Sequence, residues 1–405
     1  MHDADVVIVG AGLTGLRAAL EISRAGLSVL VVERDRCVGG RLRTTVERGA
    51  LLDHGFQVLL TGYPELSGVP DLSSLGCRSF WSGARMRLDS KEYDLLDPRR
   101  HPSAILSSLL SPIVSLRDLL KLAVFVQLAP RKEVKIAGIS TAEALDQAGF
   151  SELFKGAFLR PFLRGIVLDP SLSCDAGLAR FYLRMFSLGH AALPAKGIQA
   201  FPELLADNLG RQHIVLESTV SIVKKNYIVL QNGEEIAAKK VICAADALSA
   251  AALGSPEQTL PMSGTTVLYF LAEKAPFTEP LIMLNSDGKG PISNLAPLSN
   301  VQPSYAPAGT ALLAASVIGE HVRRPTEELI REVKTQLHSW FGAQTATWEP
   351  IKSFTVPNAL PARPRMAQGW IEKEGVYYAG DYLSYGSQNG ALAAGRAVAL
   401  HVLAQ

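Results

Sequence analysis

Ten residues near the amino terminus constrain this chain more than any other stretch. Val6-Val7-Ile8-Val9 runs straight into Gly10-Ala11-Gly12-Leu13-Thr14-Gly15, and an apolar-periodic stretch follows as far as Gly26. A second apolar run, Val29-Leu30-Val31-Val32, closes on Glu33. Run, glycine triplet, helical period, run and acid predict strand, tight turn, helix and second strand, the arrangement with which a chain holds a dinucleotide. Gly10 allows the turn off the strand, Gly12 removes a side chain where a pyrophosphate would approach, and Gly15 lets the helix lie close to the sheet. The helix start aims its unpaired N–H groups and its positive dipole end at the phosphates. The Glu33 carboxylate stands where it can accept from ribose hydroxyls.

The rest of the composition narrows the alternatives. A chain of 405 residues has room for two domains, and 48% hydrophobic residues can fill a sizeable core. A net charge of +2 with 19% charged residues speaks against a nucleic-acid binder. Cys37, Cys77, Cys174 and Cys243 are far apart in sequence, which fits reduced thiols in a cytoplasmic protein better than a disulfide framework. The first strand starts by about Asp5, so no signal peptide is expected. No uncharged apolar run is long enough to cross a membrane; the nearest, Ala104 to Pro130, is broken by Arg117, Asp118 and Lys121. It reads as two amphipathic helices split near Pro112. They either pack on a substrate domain or form a peripheral patch through which an apolar substrate enters from a membrane.

Along the chain, Ser79 to Leu96 alternates like a hairpin, and His101 to Leu209 is mostly helical, with starts at Thr141 and Asp175. Strands return at His213–Leu216, Val220–Val223, Tyr227–Leu230 and Glu235–Ile242, with Asn232-Gly233 turning between the last two. Further strands fall between Gly264 and Val317, a helix from about Pro325 to Trp340, and a strand near Thr345 to Val356. Pro357, Pro361 and Pro364 read as a linker before the strand at Val376–Ala379 and a helix from Gly390 to Leu403. No histidine pair has zinc-helix spacing and there is neither a phosphate-loop lysine motif nor a nucleophile elbow, so no metal is expected.

Glu33, five residues, then Gly39-Gly40-Arg41 resembles the extended nucleotide motif of the flavoprotein superfamily that holds flavin amine oxidases, phytoene-desaturase-like enzymes and protoporphyrinogen oxidase. Val376-Tyr377-Tyr378-Ala379-Gly380-Asp381 resembles the same superfamily's carboxyl-terminal signature. Ser387-Gln388-Asn389-Gly390-Ala391, followed by Gly395-Arg396, resembles its flavin-contacting helix start. The middle of the chain matches more weakly, at Ala195-Lys196-Gly197-Ile198-Gln199 and at Val220, where the family sets a valine against adenine. The resemblance implies non-covalent FAD held by Gly10, Gly12, Leu13, Thr14, Gly15, Glu33 and Arg34 and by Gly39, Gly40 and Arg41. Gly55, Phe56, Gln57, Val220 and Ala244 join them, with Gly380, Asp381, Gln388, Asn389 and Ala391 from the far end. Arg41 either braces the phosphates or the glycine loop, or is a plain surface arginine. Catalytic residues stay unknown; the candidates are His54, Lys196 and Tyr385, and His54 reads first as a positioned loop residue beside the cofactor and only second as a catalytic base.

Two departures separate the chain from a typical amine oxidase. The strand Gly264-Thr265-Thr266-Val267-Leu268-Tyr269-Phe270 lacks the lysine expected near flavin N5, and Ser387 stands where an aromatic would form half of an amine cage. Asp381 after Ala379-Gly380 and Ser387 ahead of Gly390-Ala391 look more like the desaturase branch. Arg160 and Arg164 with Phe158, Phe162, Phe181, Tyr182 and Phe186 form either a pocket lining or a helix core. No second glycine triplet appears, so no separate nicotinamide domain is expected, and electrons leave to oxygen or a quinone.

The expected fold is α/β. A Rossmann-like FAD domain of the glutathione-reductase type is drawn from residues 1–62, 197–252 and 365–405. A mixed-sheet and helical substrate domain comes from 63–196 and 253–364, with a helical subdomain at about 101–196. The expected activity is dehydrogenation of a C–C or C–N bond in an apolar small molecule by hydride transfer to the flavin. A peroxide-producing flavin amine oxidase is the alternative, and a non-enzymatic carrier on the same fold is the third. Location is expected to be cytoplasmic, with peripheral membrane contact as an option.

Overall fold

A computed structural model describes residues 4–102, 111–131, 134–257, 261–362 and 368–405. The apolar run Ala4–Val9 is the centre of the first sheet. It pairs in parallel with Val29–Val32 on one side and with Glu235–Cys243 on the other. Ile214–Val215 extends the sheet beyond Val29–Val32, and Val376–Ala379 lies parallel to the far half of Glu235–Cys243. The near half of that long strand leaves the parallel layer and joins Tyr227–Leu230 and Val220–Lys224 in an antiparallel ribbon. One sheet is therefore built from the two ends and the middle of the chain, and its parallel centre, Ala4–Val9, Val29–Val32 and Val376–Ala379, consists of apolar runs buried on both faces, whereas the antiparallel ribbon stays partly exposed.

Two helices seal one side of this sheet. Leu13–Arg24 and Gln388–Leu403 cross so tightly that a Cβ on Gly395 would sit 2.3 Å from the Thr14 carbonyl oxygen. Thr14 Oγ1 donates to the Ala391 carbonyl at 3.0 Å, and Arg396 grips the buried Glu65 with two hydrogen bonds of 2.9 and 2.7 Å. The last helix starts at Gln388, two residues before the expected Gly390, because the Ser387 hydroxyl accepts from Gly390 N and caps it.

The second sheet has seven strands, in the order Glu349–Pro361, Met262–Ala272, Ala311–Ile318, Ile292–Pro297, Met283–Asn285, Gly83–Leu88 and Lys91–Leu96. The expected linker at Pro357 and Pro361 is instead the end of its first strand. Both prolines are tolerated there because that strand is at the edge, with no strand on its other side among the described residues. Pro364 falls outside the described residues. The mostly helical stretch also contains a strand, Ala191–Leu193, which pairs with Leu59–Leu60 and Arg78–Ser79. Helices start at Thr141 behind a Ser140–Glu143 capping box and at Ala176 behind Asp175. Of the two helices expected between Ala104 and Pro130, Leu116–Gln127 is present; residues 103–110 lie outside the described set. No helix among the described residues is long and apolar enough to cross a membrane.

Candidate active site

The glycine turn has the geometry its spacing predicts. Gly10 sits at φ +102°, and a Cβ on it would come within 2.9 Å of the Ala244 carbonyl oxygen. At Gly15 a Cβ would lie 1.9 Å from the Gly10 carbonyl oxygen, so helix and turn touch backbone to backbone. Gly12 differs: nothing in the protein lies within 4 Å of a Cβ placed there. It opens onto a cavity of ≈ 1520 Å³, as do Leu13 and Thr14 of the first helical turn, whose start no side chain caps. A bare helix start over open space fits a phosphate group.

Glu33 closes this end. One carboxylate oxygen accepts from Ala11 N at 2.7 Å and the other from Asp35 N at 3.0 Å. The acid therefore staples the second strand to the glycine turn, a role the spacing alone does not reveal, while still lining the cavity. Arg34 points across to Asp246 and Ser249 at the start of the helix Ala247–Ala252. Gly39 N donates to the Ala11 carbonyl, fixing the Gly39-Gly40 loop against the turn. Arg41 neither lies free on the surface nor points at the loop. Its guanidinium donates to Asp381 Oδ1 and to the Ala359 carbonyl, each at 2.6 Å. Gln57 donates to the carbonyls of Arg41 and His54, and Gln388 donates to the Val58 carbonyl. The Gln388 Oε1 atom is buried in the cavity wall with no partner among the described residues, which fits a group that donates a hydrogen bond to it.

From this cleft the cavity continues into an apolar chamber. Its walls are the sheet residues Thr265, Ile318 and Leu284 and the helical residues Phe158, Phe162, Tyr182 and Phe186, with Leu119, Leu122 and Val126 beyond. Phe158 reaches it from Lys155–Leu159, a widened π turn. The aromatic stripe is thus divided: Phe158, Phe162, Tyr182 and Phe186 line the chamber, and Phe181 is core. Arg160 instead pairs with Asp146, and neither it nor Arg164 reaches the cavity.

Of the three catalytic candidates, His54 alone borders the cavity. Its ring stacks on Phe354 at 4.1 Å and its Nε2 contacts Thr45 Oγ1 at 2.8 Å. Burial, then the charges of Arg43 and Lys352, hold its pKa below the ordinary imidazole value. Lys196 is exposed, away from the cavity. Tyr385 is buried off the cavity; its hydroxyl accepts from Asn389 Nδ2 at 2.6 Å, and burial pushes its pKa up to about 12. Asn389 is likewise taken up inside the protein, accepting from Glu65 N at 3.1 Å. The remaining residues named from the resemblance, apart from Gly15 inside the turn, border the cavity: Gly55 and Phe56 from one loop, Val220 and Ala244 from the middle segment, and Gly380, Asp381 and Ala391 from the last.

Sequence reasoning did not single out Asn294 and Ser316 in the chamber floor, nor Asp53, buried off the cavity. The signal was there: Asn294 and Ser316 put polar residues inside otherwise mostly apolar strands, and Asp53 ends the apolar run Ala50-Leu51-Leu52. Asp53 accepts from Thr44, from Ile198 N and from Tyr305, and burial pushes its carboxyl up to about 6 against the downward pull of those bonds. Among the described residues no group of His, Cys, Asp and Glu could hold a metal.

Comparison with known proteins agrees with this geometry. The family model for flavin containing amine oxidoreductases matches residues 13–403. Protoporphyrinogen oxidase 2 of Arabidopsis thaliana is 40% identical over 73 residues, 18% of this chain and 14% of that protein. The carotenoid phi-ring synthase of Streptomyces griseus is 29% identical over 197 residues, 44% of this chain and 37% of that protein. These matches thus span well under two thirds of the relatives' own lengths. Among solved structures, an oxidoreductase from Methanosarcina mazei superposes with a TM-score of 0.76 at 18% identity, covering 99% of this chain and 100% of that one. Cyclohexylamine oxidase from Brevibacterium oxydans superposes with a TM-score of 0.71 at 18% identity, covering 100% of both chains. At such identity the likeness is one of fold. With a glycine turn, a bare helix start and a last helix closing on one cavity, and with a family model spanning nearly its whole length, this chain belongs to the flavin containing amine oxidoreductases.

Proposed function

We propose that this oxidoreductase binds FAD without a covalent link and dehydrogenates a C–C or C–N bond of an apolar small molecule, in the manner of the desaturase branch. One observation carries the reading. The cavity runs unbroken from the glycine turn into a chamber walled by aliphatic and aromatic side chains, and among the described residues no lysine lines any part of it. Thr265 occupies the wall on the strand where the amine oxidase branch is expected to carry its lysine. The bound flavin supplies the redox chemistry by accepting a hydride. The protein's part is to grip the two ends of the cofactor, hold the substrate bond beside it and keep water out of the chamber. None of the four cysteines borders the cavity, which supports non-covalent binding. Residues 1–62, 197–252 and 365–405 would form the FAD domain and the rest the substrate domain. Oxygen or a quinone would take the electrons.

The visible spectrum of the purified protein tests the first half. Flavin bands, with FAD released into the supernatant on acid precipitation, are expected; no bands even after adding FAD would defeat the proposal. Anaerobic bleaching by apolar substrates tests the second half. Robust peroxide formation from simple amines would instead favour an amine oxidase, the reading to which cyclohexylamine oxidase is the structural parallel.

The helix Leu116–Gln127 supports peripheral attachment to an anionic membrane. Leu119, Leu122 and Val126 face the chamber, while Leu116, Leu120, Val124 and Leu128 are 63%, 63%, 64% and 57% exposed. Arg117, Arg131 and Lys135 are exposed beside this stripe, and the helix's one acid, Asp118, is buried against Ser115 and Ser151. An apolar stripe on a helix whose described residues include no exposed acid, flanked by cations, matches an anionic bilayer surface. An apolar substrate would then enter the chamber beside the helix.

A further inference from the structure

The floor of the chamber contains a polar pair whose side-chain oxygens have no hydrogen-bond partner among the described residues. Asn294 and Ser316 are directly opposite each other on the antiparallel strands Ile292–Pro297 and Ala311–Ile318, so their side chains share a face. That face is the chamber: both residues line it, beside Leu284, the cross-strand neighbour of Asn294. Each is only 4% exposed. Asn294 Oδ1 and Ser316 Oγ are both buried without a hydrogen-bond partner among the described residues. Buried polar atoms are nearly always paired, and two adjacent exceptions in a cavity wall need an explanation.

Space has been left above them. The helix Arg160–Val167 passes over the pair at Gly165, where a Cβ would come within 3.3 Å of Asn294 Nδ2. A larger residue there would cover the amide. The surrounding wall is apolar, so a ligand group reaching this spot leaves water and meets an amide and a hydroxyl.

We propose that Asn294 and Ser316 anchor a hydroxyl group carried by the otherwise apolar substrate, a specificity site that rests on the apolar-substrate reading above. The chemistry selects the hydroxyl. The amide offers a donor and an acceptor whichever way it points, and the serine offers both. A hydroxyl can donate to one and accept from the other. A carbonyl can only accept, leaving an acceptor in the wall unmet. An ammonium would need a counter-charge, and the cavity's carboxylates, Glu33, Asp35, Asp97, Asp246 and Asp381, lie on neither these two strands nor the helix above.

The test is isothermal titration calorimetry of the FAD-loaded protein with decan-1-ol, its isosteric methyl ether 1-methoxynonane, and undecane. The wild type is expected to prefer the alcohol to the ether by roughly tenfold or more, as for a group whose absence strands buried partners. In N294L/S316A the preference should vanish while the ether and hydrocarbon bind at least as well as before. S316A, which removes one oxygen only, should lose part of it and keeps the test valid if the double variant does not fold. Equal binding of alcohol and ether by the wild type, or a preference that survives both variants, overturns the anchor alone. Failure of all three probes to bind overturns the apolar chamber and the anchor with it.

Discussion

The guanidinium of Arg41 donates to Asp381 Oδ1 at 2.6 Å although the two residues are 340 positions apart in the chain. Arg41 ends the amino-terminal nucleotide motif and Asp381 opens the loop before the last helix, so this one ion pair joins the first and last segments of the cofactor cleft. Asp381 is buried, and its partner bridges further to the Ala359 carbonyl on the edge strand of the other sheet. Replacing Arg41 with methionine leaves a buried carboxylate with no cation. We expect the flavin-free protein to lose about 1–3 kcal/mol of stability in denaturant unfolding, and the flavin to wash out on gel filtration. Unchanged unfolding midpoints would show that the pair does not hold the two segments together.

Gly12 and Gly15 separate cofactor binding from folding. A methyl group at Gly12 meets nothing in the protein, whereas at Gly15 it meets a backbone carbonyl at 1.9 Å. The G12A variant should therefore unfold within about 0.5 kcal/mol of the wild type and yet retain little flavin. The G15A variant should be destabilised with or without flavin, because a backbone contact cannot move aside. Flavin titration and thermal melts of both variants check the contrast. Normal flavin retention by G12A would mean that no phosphate lies against that residue.

Asp53 makes stability depend on pH. Its folded pKa of about 6 lies above that of an unfolded aspartate, so the folded state holds its proton more tightly. The associated stability is complete below about pH 4 and is lost as pH rises through about 6, a total on the order of 3 kcal/mol. Asn in place of Asp53 keeps acceptors for Thr44 and Ile198 and lets the Tyr305 hydroxyl reverse. In D53N the decline between pH 4 and 6 should flatten, as read from urea midpoints across that range. An identical slope in the two proteins would assign it elsewhere.

Glutamate at Leu120 and Val124 should abolish flotation with anionic vesicles. Both side chains point outward, so the melting temperature should hold within a few degrees. Flotation of the wild type should weaken as salt rises, since part of the attraction is ionic. A wild type that stays at the bottom of the gradient with anionic vesicles at low salt would remove membrane attachment from the proposal.

Much of the nucleotide half was legible in the order of residues. Close backbone approach and helix packing leave glycines at set spacings, and a strand buried on both faces leaves an unbroken apolar run; both kinds of constraint act within a few positions of the chain. Ala4–Val9, Leu13–Arg24 and the hairpin Gly83–Leu96 follow from such local rules. Partnerships do not. Whether Arg41 meets phosphate or Asp381, 340 positions away, and which of five aromatics line a chamber depend on how distant segments pack, and whether Tyr385 faces a substrate or Asn389 depends on which way its ring turns in the assembled core. The prolines at 357 and 361 mislead because proline forbids a central strand but not an edge strand, and edge position is a property of the assembled sheet. Sequence alone determined the glycine turn, the acid after the second strand and the Ala379-Gly380-Asp381 end, the marks of a flavin-type chain. Only the tertiary structure decided that these marks open onto one cavity that continues into an apolar chamber with Asn294 and Ser316 in its floor, since the sheets and helices that line it meet there only once the chain is packed.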